Sequence, residues 1–302
     1  MKNRVVTGCL GVCLSGMALP GVVQAEPLEV SGFSWVENLA FDGRGNLFVS
    51  ELNRGEIWRI RPDGSGGYRT ELFLEGFVKV LGLAATPDGG EMYANAKLAD
   101  GSYALIRFDP EVPGGWDLVV PLPKLGNGLV VEQSGLVYTA CEGSFFPGDG
   151  VVYEIDPSSG TWSEIMNDLW AADGVALDQD ALLLYVGEVV SGKIWVYDLA
   201  SRQNLGFFQG VSGRKLEWVD DFTLSDDGEF IFGADFHHGT IVHFQAGEED
   251  TQEVVYEGFM LPTSVEWGSG PGFHNTSLYV TEGCAFREGA TRCRVVEIEN
   301  AR

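Results

Sequence analysis

The sequence predicts an all-β fold, a six-bladed β-propeller of four-stranded antiparallel blades, on three observations. An apolar run, a Gly-rich turn and a second apolar run recur about every 45 residues, the length of a propeller blade. The six repeats begin at Glu37, Leu81, Asn127, Asp173, Asp220 and Thr263. The runs are rich in β-branched and aromatic residues, and none keeps a helical period of about 3.6 residues.

Each blade can be read in order. Blade 1 spans Glu37 to Glu51 and continues in Glu56 to Ile60. Blades 2 and 3 follow with hairpin turns at Pro87 to Gly90 and Gln133 to Gly135, residues that tolerate positive φ. Blade 4 runs from Asp173 to Glu188 and from Lys193 to Tyr197; blade 5 runs from Asp220 to Asp235 and from Thr240 to Phe244. Outer fourth strands are predicted at Thr70 to Phe77, Trp116 to Leu122, Trp162 to Leu169, Asn204 to Val211 and Glu253 to Phe259. Blade 6 begins at Thr263 and reaches a third strand at Arg294 to Ile298, with no outer strand after it. Leu28 to Phe33 supplies it from the other end of the chain and clasps the ring, which removes two open sheet edges.

Residues 1–25 read as a bacterial secretory signal peptide: Lys2 and Arg4, an apolar small-residue stretch, then Val23-Gln24-Ala25 before the cut. Residues 26–302 are then a single propeller domain exported to the periplasm or secreted. Losing Lys2 and Arg4 would take the net charge from −25 to −27, which disfavours nucleic acid and anionic membranes as partners. A small-molecule ligand and a monomeric state are expected, because a closed ring leaves no edge to pair. Cys284 and Cys293 flank a turn in blade 6 and are expected to form a disulfide in an oxidising compartment; Cys141 is left over, as a buried, inert thiol.

The first strand of every propeller blade lines the central channel, so the six repeat starts converge there. Four carry oxygen ligands: Glu37, Asn127, Asp173 and Asp220. Three carboxylates and an amide suit Ca²⁺ or another divalent cation. Asn38 and Asp221 stand beside them. The ends of the second strands bring Glu51, Asn95, Glu142, Glu188, Asp235 and Glu282 to the pocket rim, and His237 and His238 follow as candidate proton carriers. Leu81, Leu125 and Thr263 make the pocket less polar.

With Glu37 before Asn-Leu-Ala-Phe, Asn127-Gly128, Asp173-Gly174 and Val219-Asp220-Asp221, the chain resembles the regucalcin/gluconolactonase family of six-bladed propellers. It resembles paraoxonases and diisopropylfluorophosphatase more distantly. The resemblance implies a channel Ca²⁺ held by Glu37, Asn127, Asp173 and Asp220, with Asp220 as base or nucleophile. It also marks departures: Asp173 where the family has Asn, Leu125 where sugar lactonases have Arg, and Leu81 where paraoxonases have His. The expected function is a Ca²⁺-dependent hydrolase of a lactone or ester more apolar than a sugar lactone. The alternatives are a non-catalytic propeller with a structural Ca²⁺ that binds a small ligand or protein, and a lyase or condensing enzyme on the strictosidine synthase-like scaffold.

Overall fold

The computed structural model describes residues 28–209, 219–283, 293–299 and 301. Six four-stranded sheets form. The first contains β2 (Val36–Phe41), β3 (Leu47–Glu51), β4 (Glu56–Pro62) and β5 (Tyr68–Leu74). The second contains β6 (Lys79–Ala85), β7 (Met92–Lys97), β8 (Tyr103–Phe108) and β9 (Asp117–Leu122). The third contains β10 (Leu129–Val131), β11 (Val137–Cys141), β12 (Gly150–Asp156) and β13 (Thr161–Leu169). The fourth contains β14 (Ala172–Asp178), β15 (Leu183–Glu188), β16 (Lys193–Asp198) and β17 (Gln203–Gln209). The fifth contains β18 (Val219–Leu224), β19 (Phe230–Asp235), β20 (Thr240–Gln245) and β21 (Glu253–Glu257). The sixth joins β22 (Pro262–Trp267), β23 (Leu278–Glu282) and β24 (Cys293–Ile298) to β1 (Glu29–Phe33).

The N-terminal strand therefore completes the last blade, antiparallel to β24. The innermost strands of successive blades contact one another around the whole circle, and β22 returns to β2. Each blade interface carries its own apolar cluster. Between blades 1 and 2, for example, Phe48 meets Phe73 and Phe108 edge-on at ring separations of 5.0 and 5.5 Å. Blades 6 and 1 share Leu28, Val36, Leu47, Tyr279 and Val295. A propeller needs this arrangement because a sheet buries its two faces only against the sheets on either side.

The predicted signal peptide, the end of the fourth blade's outer strand at 210–211 and Cys284 of the expected disulfide lie outside the described residues. No described helix is long and apolar enough to cross a membrane.

Candidate metal and active site at the channel mouth

The ring positions are set by irregularity in otherwise regular strands. In five sheets the register between first and second strand shifts at the repeat start: between Val36 and Leu39, Val80 and Leu83, Ala172 and Val175, Val219 and Phe222, and Pro262 and Ser264. A bulge unpairs a residue and re-aims its side chain. It releases Glu37, Leu81, Asp173, Asp220 and Thr263 from the ladder. In blade 3 the ladder begins only at Leu129, so Asn127 stands ahead of it, held by its amide on the carbonyl of Ala140 at 2.7 Å.

The residue after each ring position decides how closely the blades approach. A Cβ on Gly82 would lie 1.8 Å from the carbonyl oxygen of Asn127. One on Gly128 would lie 2.3 Å from that of Asp173, and one on Gly174 would lie 2.7 Å from that of Asp220. Three glycines thus seat the ring residue of the next blade. Gly82→Ala is expected to cost on the order of 3 kcal/mol by overpacking and to displace Asn127. Thermal melts and a Ca²⁺ titration of the variant check this; an unchanged melting temperature would refute the contact.

Where the following residue is not glycine, its side chain crosses the channel. Asn38 donates through Nδ2 to Asp221 Oδ2 at 2.6 Å, and Ser264 Oγ donates to the same oxygen at 3.1 Å. Asn38 Oδ1 accepts the amide of Leu83 at 3.3 Å. Blades 1, 2, 5 and 6 are tied together beneath the ring by this floor.

The ring itself is a crowd of buried acids. Asn127 Nδ2 donates to Glu37 Oε1 at 3.4 Å and to Glu142 Oε1 at 2.7 Å. Glu142, expected only at the rim, therefore belongs to the ring, and it also contacts the carboxyl of Asp173. Asp173 and Asp220 are in hydrogen-bond contact with each other. Burial, then the charge of Glu142, pushes Glu37 up to about 7, against the hydrogen bond from the Trp35 indole. Burial raises Glu142. Burial and then the neighbouring Asp220 carry Asp173 well above the carboxylate range; burial and then Glu37 do the same for Asp220. Asp221 rises to about 6 through burial. Carboxyl groups at such separations stay together only with a shared proton or a cation among them. Among the described residues, no three His, Cys, Asp or Glu side chains stand at metal-holding spacing. The donors present are all oxygens of the hard type a divalent cation such as Ca²⁺ takes.

The other predicted rim carboxylates are bound into the framework. Glu51 accepts the amide of Trp35 at 2.8 Å, Glu188 that of Trp170 at 2.9 Å, and Glu282 that of Met260 at 3.0 Å. Each end-of-strand carboxylate thus caps the turn that enters its own blade. Asn95 is fully buried and spans blades 2 and 3, donating to the carbonyl of Asn127 at 3.1 Å and to Thr139 Oγ1 at 2.8 Å. Thr263 is buried on the carbonyl of Val36 at 2.9 Å. These groups are load-carrying joints, not open substrate contacts.

Asp235 keeps a chemical partner. Its Oδ2 stands 2.8 Å from His238 Nδ1, and the His238 side chain is 54 % exposed. His237 packs edge-on to His238 at 5.1 Å. Cys141 is fully buried and its thiol is driven up by burial, which leaves it a poor nucleophile.

Aromatic rings surround the mouth. The Trp35 indole donates to Glu37 Oε2 and lies against Phe236 at 6.1 Å. Trp170 Nε1 donates to the carbonyl of Phe145 at 3.0 Å, and Phe145 and Phe146 stand exposed on the hairpin that follows Glu142. This collar was not legible in the sequence, because its members come from hairpins of different blades.

A six-bladed propeller with an acidic ring at one mouth of its channel defines the class of this protein. Residues 120–283 match the family described as SMP-30/gluconolactonase/LRE-like region, and the chain belongs to that family. Among curated proteins it is similar to a lactonase, drp35, of Staphylococcus saprophyticus, 26 % identical over 184 residues that make up 59 % of this chain and 56 % of the relative. The chain thus spans little more than half the length of that relative. Among solved structures it resembles a calcium-binding protein, regucalcin, from Agrobacterium tumefaciens, with TM-score 0.71, 16 % identity and coverage of 89 % of this chain and 92 % of the other. It also resembles a gluconolactonase from Xanthomonas campestris, with TM-score 0.67, 15 % identity and coverage of 91 % and 90 %. At these identities the structural likeness is one of fold.

Proposed function

We propose that this protein is an exported, Ca²⁺-dependent hydrolase of a lactone or ester more apolar than a sugar lactone. The observation that carries the reading is the buried cluster of Glu37, Glu142, Asp173, Asp220 and Asp221, whose carboxyl groups are all raised by burial, with the Asn127 amide donating to two of them. Glu37, Asn127, Asp173 and Asp220 would hold the ion, with Glu142 beside them. When bound, Ca²⁺ supplies Lewis acidity toward a carbonyl oxygen.

The chain's own residues do the rest. Asp220, freed of its proton, takes a proton from the attacking water as that water adds to the acyl carbon. The acyl C–O bond of the ring then breaks as Asp220 passes its proton to the departing alcohol oxygen, and the carboxylic acid so formed gives up its own proton. His238, held through Nδ1 by Asp235, can carry that proton to solvent. Trp35, Phe236 and the Phe145–Phe146 hairpin present apolar surface to the substrate, and Leu125 stands where sugar lactonases have Arg. The export signal at 1–25, the Cys284–Cys293 bridge and the monomeric state belong to the same proposal.

The test is turnover of aliphatic lactones, aryl esters and an aldonolactone, with and without chelator. Asp220→Ala is expected to lower kcat/KM by about 10³-fold or more and to weaken Ca²⁺ binding together with it. Turnover that survives chelation would overturn the metal assignment. Tight Ca²⁺ binding without turnover on the whole panel would favour the non-catalytic alternative, to which Leu81 and Leu125 already lean.

A further inference from the structure

The channel has a second mouth, and the Asn38–Asp221–Ser264 floor separates it from the ring. The first hairpins of the blades surround it, and a cavity of 610 Å³ opens there. None of Glu37, Asn127, Glu142, Asp173 or Asp220 lines this cavity. Its size is that of a small-ligand site.

Its chemistry has one sign. Asp42, Asp178, Asp180, Asp226 and Glu266 are in the lining, and among the described residues no Lys, Arg or His is. The innermost edges of β2, β6, β10, β14, β18 and β22 form the wall, and no strand pairs with those edges. Gln179 Nε2 takes the carbonyl of Val131 at 2.9 Å, and the unpaired edges leave other carbonyls of these strands outside any ladder.

Glu266 is an acid of this lining that the fold holds through one oxygen only. Thr223 Oγ1 and the amide of Trp267 both donate to its Oε1, at 2.8 and 2.9 Å. Its Oε2 takes no hydrogen bond from any described residue. Burial pushes this carboxyl up to about 7. The two bonds on one oxygen fix the group, and the second oxygen is left for a donor. Trp267 and Phe222 stand in the same wall.

We propose that this far mouth binds a small organic cation, an alkylammonium, with its N–H groups on Glu266 Oε2 and on carbonyls of the unpaired inner edges. One fixed carboxylate and scattered carbonyls suit an ammonium with its three donors. A hard divalent ion asks for about six to eight oxygens around one point. The apolar lining at Pro87, Leu177 and Leu224 accepts the alkyl or aryl body of the ligand.

The probe is benzylamine, titrated calorimetrically into the full chain at about pH 8, where Glu266 is ionised, beside benzyl alcohol and benzoate. One equivalent of benzylamine is expected to bind, and neither control should bind comparably. Glu266→Gln should weaken the amine at least about tenfold. Gln133→Trp, on the hairpin turn at the mouth, should block it without touching the carboxyl. Asp220→Ala should leave it unchanged, which separates this site from the ring and its metal. Equal affinity in both mouth variants would overturn the proposal. So would equal binding of benzyl alcohol, displacement of the amine by Ca²⁺ alone, loss in Asp220→Ala, or no binding at all.

Discussion

With chelator present, the protein is expected to lose stability as the pH rises from about 5 to about 8, and Ca²⁺ is expected to abolish most of that loss. The sign follows from the ring. A carboxyl whose folded pKa is raised stabilises the fold fully below its unfolded value, and that contribution disappears as the pH climbs through the folded value. Glu37 and Asp221, raised to about 7 and about 6, place the window, and Glu142, Asp173 and Asp220 shift in the same direction. At about 1.4 kcal/mol per pKa unit, Glu37 alone accounts for on the order of 3 kcal/mol. Melting temperatures measured across this range, with chelator and with Ca²⁺, read the effect directly. Asp173→Asn should flatten the chelated profile, because it removes one of the crowded acids. Glu266 is also raised to about 7 but stands at the other mouth, so the slope that survives Ca²⁺ should vanish in Glu266→Gln. A flat profile with chelator would show that the ring carries no such strain.

Removal of the chain up to Phe33 is expected to lower the melting temperature by about 10 °C or more and to promote aggregation. β1 pairs with β24 along its length, and Arg294 reaches Glu29 at 3.2 Å. Just ahead of β1, Leu28 is buried in the cluster between blades 6 and 1. Its amide donates to Glu297 Oε2 at 3.1 Å, and the amide of Glu297 returns a bond to its carbonyl at 2.9 Å. The truncation therefore strips a core side chain, exposes β24 as an open edge and leaves the carboxyl of Glu297 to His274. Leu28→Ala should cost about 3 kcal/mol and leave the edge covered, which separates packing from closure. Light scattering during the melt reads the aggregation. An unchanged melting temperature in the truncated protein would show that the ring closes without its clasp.

The ring was legible in sequence to an unusual depth, for a reason particular to repeats. Glu37, Asn127, Asp173 and Asp220 occupy one position of a repeated unit, so the fold carries them to one place whatever the details of each blade. Asn38 and Asp221 were legible as their neighbours in sequence, though not as partners in one bond. Glu142 was misplaced at the rim because nothing local says that its hairpin turns inward to Asn127. The glycines after the ring positions were visible as residues, and Gly82, Gly128 and Gly174 even follow the repeat. Their purpose was not visible, since the atom each must avoid belongs to the next blade.

The sequence by itself determined the number of blades, the place of each first strand, the N-terminal clasp and the acids gathered at one mouth. All of these follow from period and alternation, which are properties of the chain read locally. Only the tertiary structure decided which carboxylates remain chemically open. Glu51, Glu188 and Glu282 are taken up by backbone amides of their own blades, while Glu142 joins the ring and Glu266 faces a second cavity. The physical reason is that a buried carboxyl's role is set by the donors that reach it. Those donors come from turns and from blades that the linear order does not place beside it.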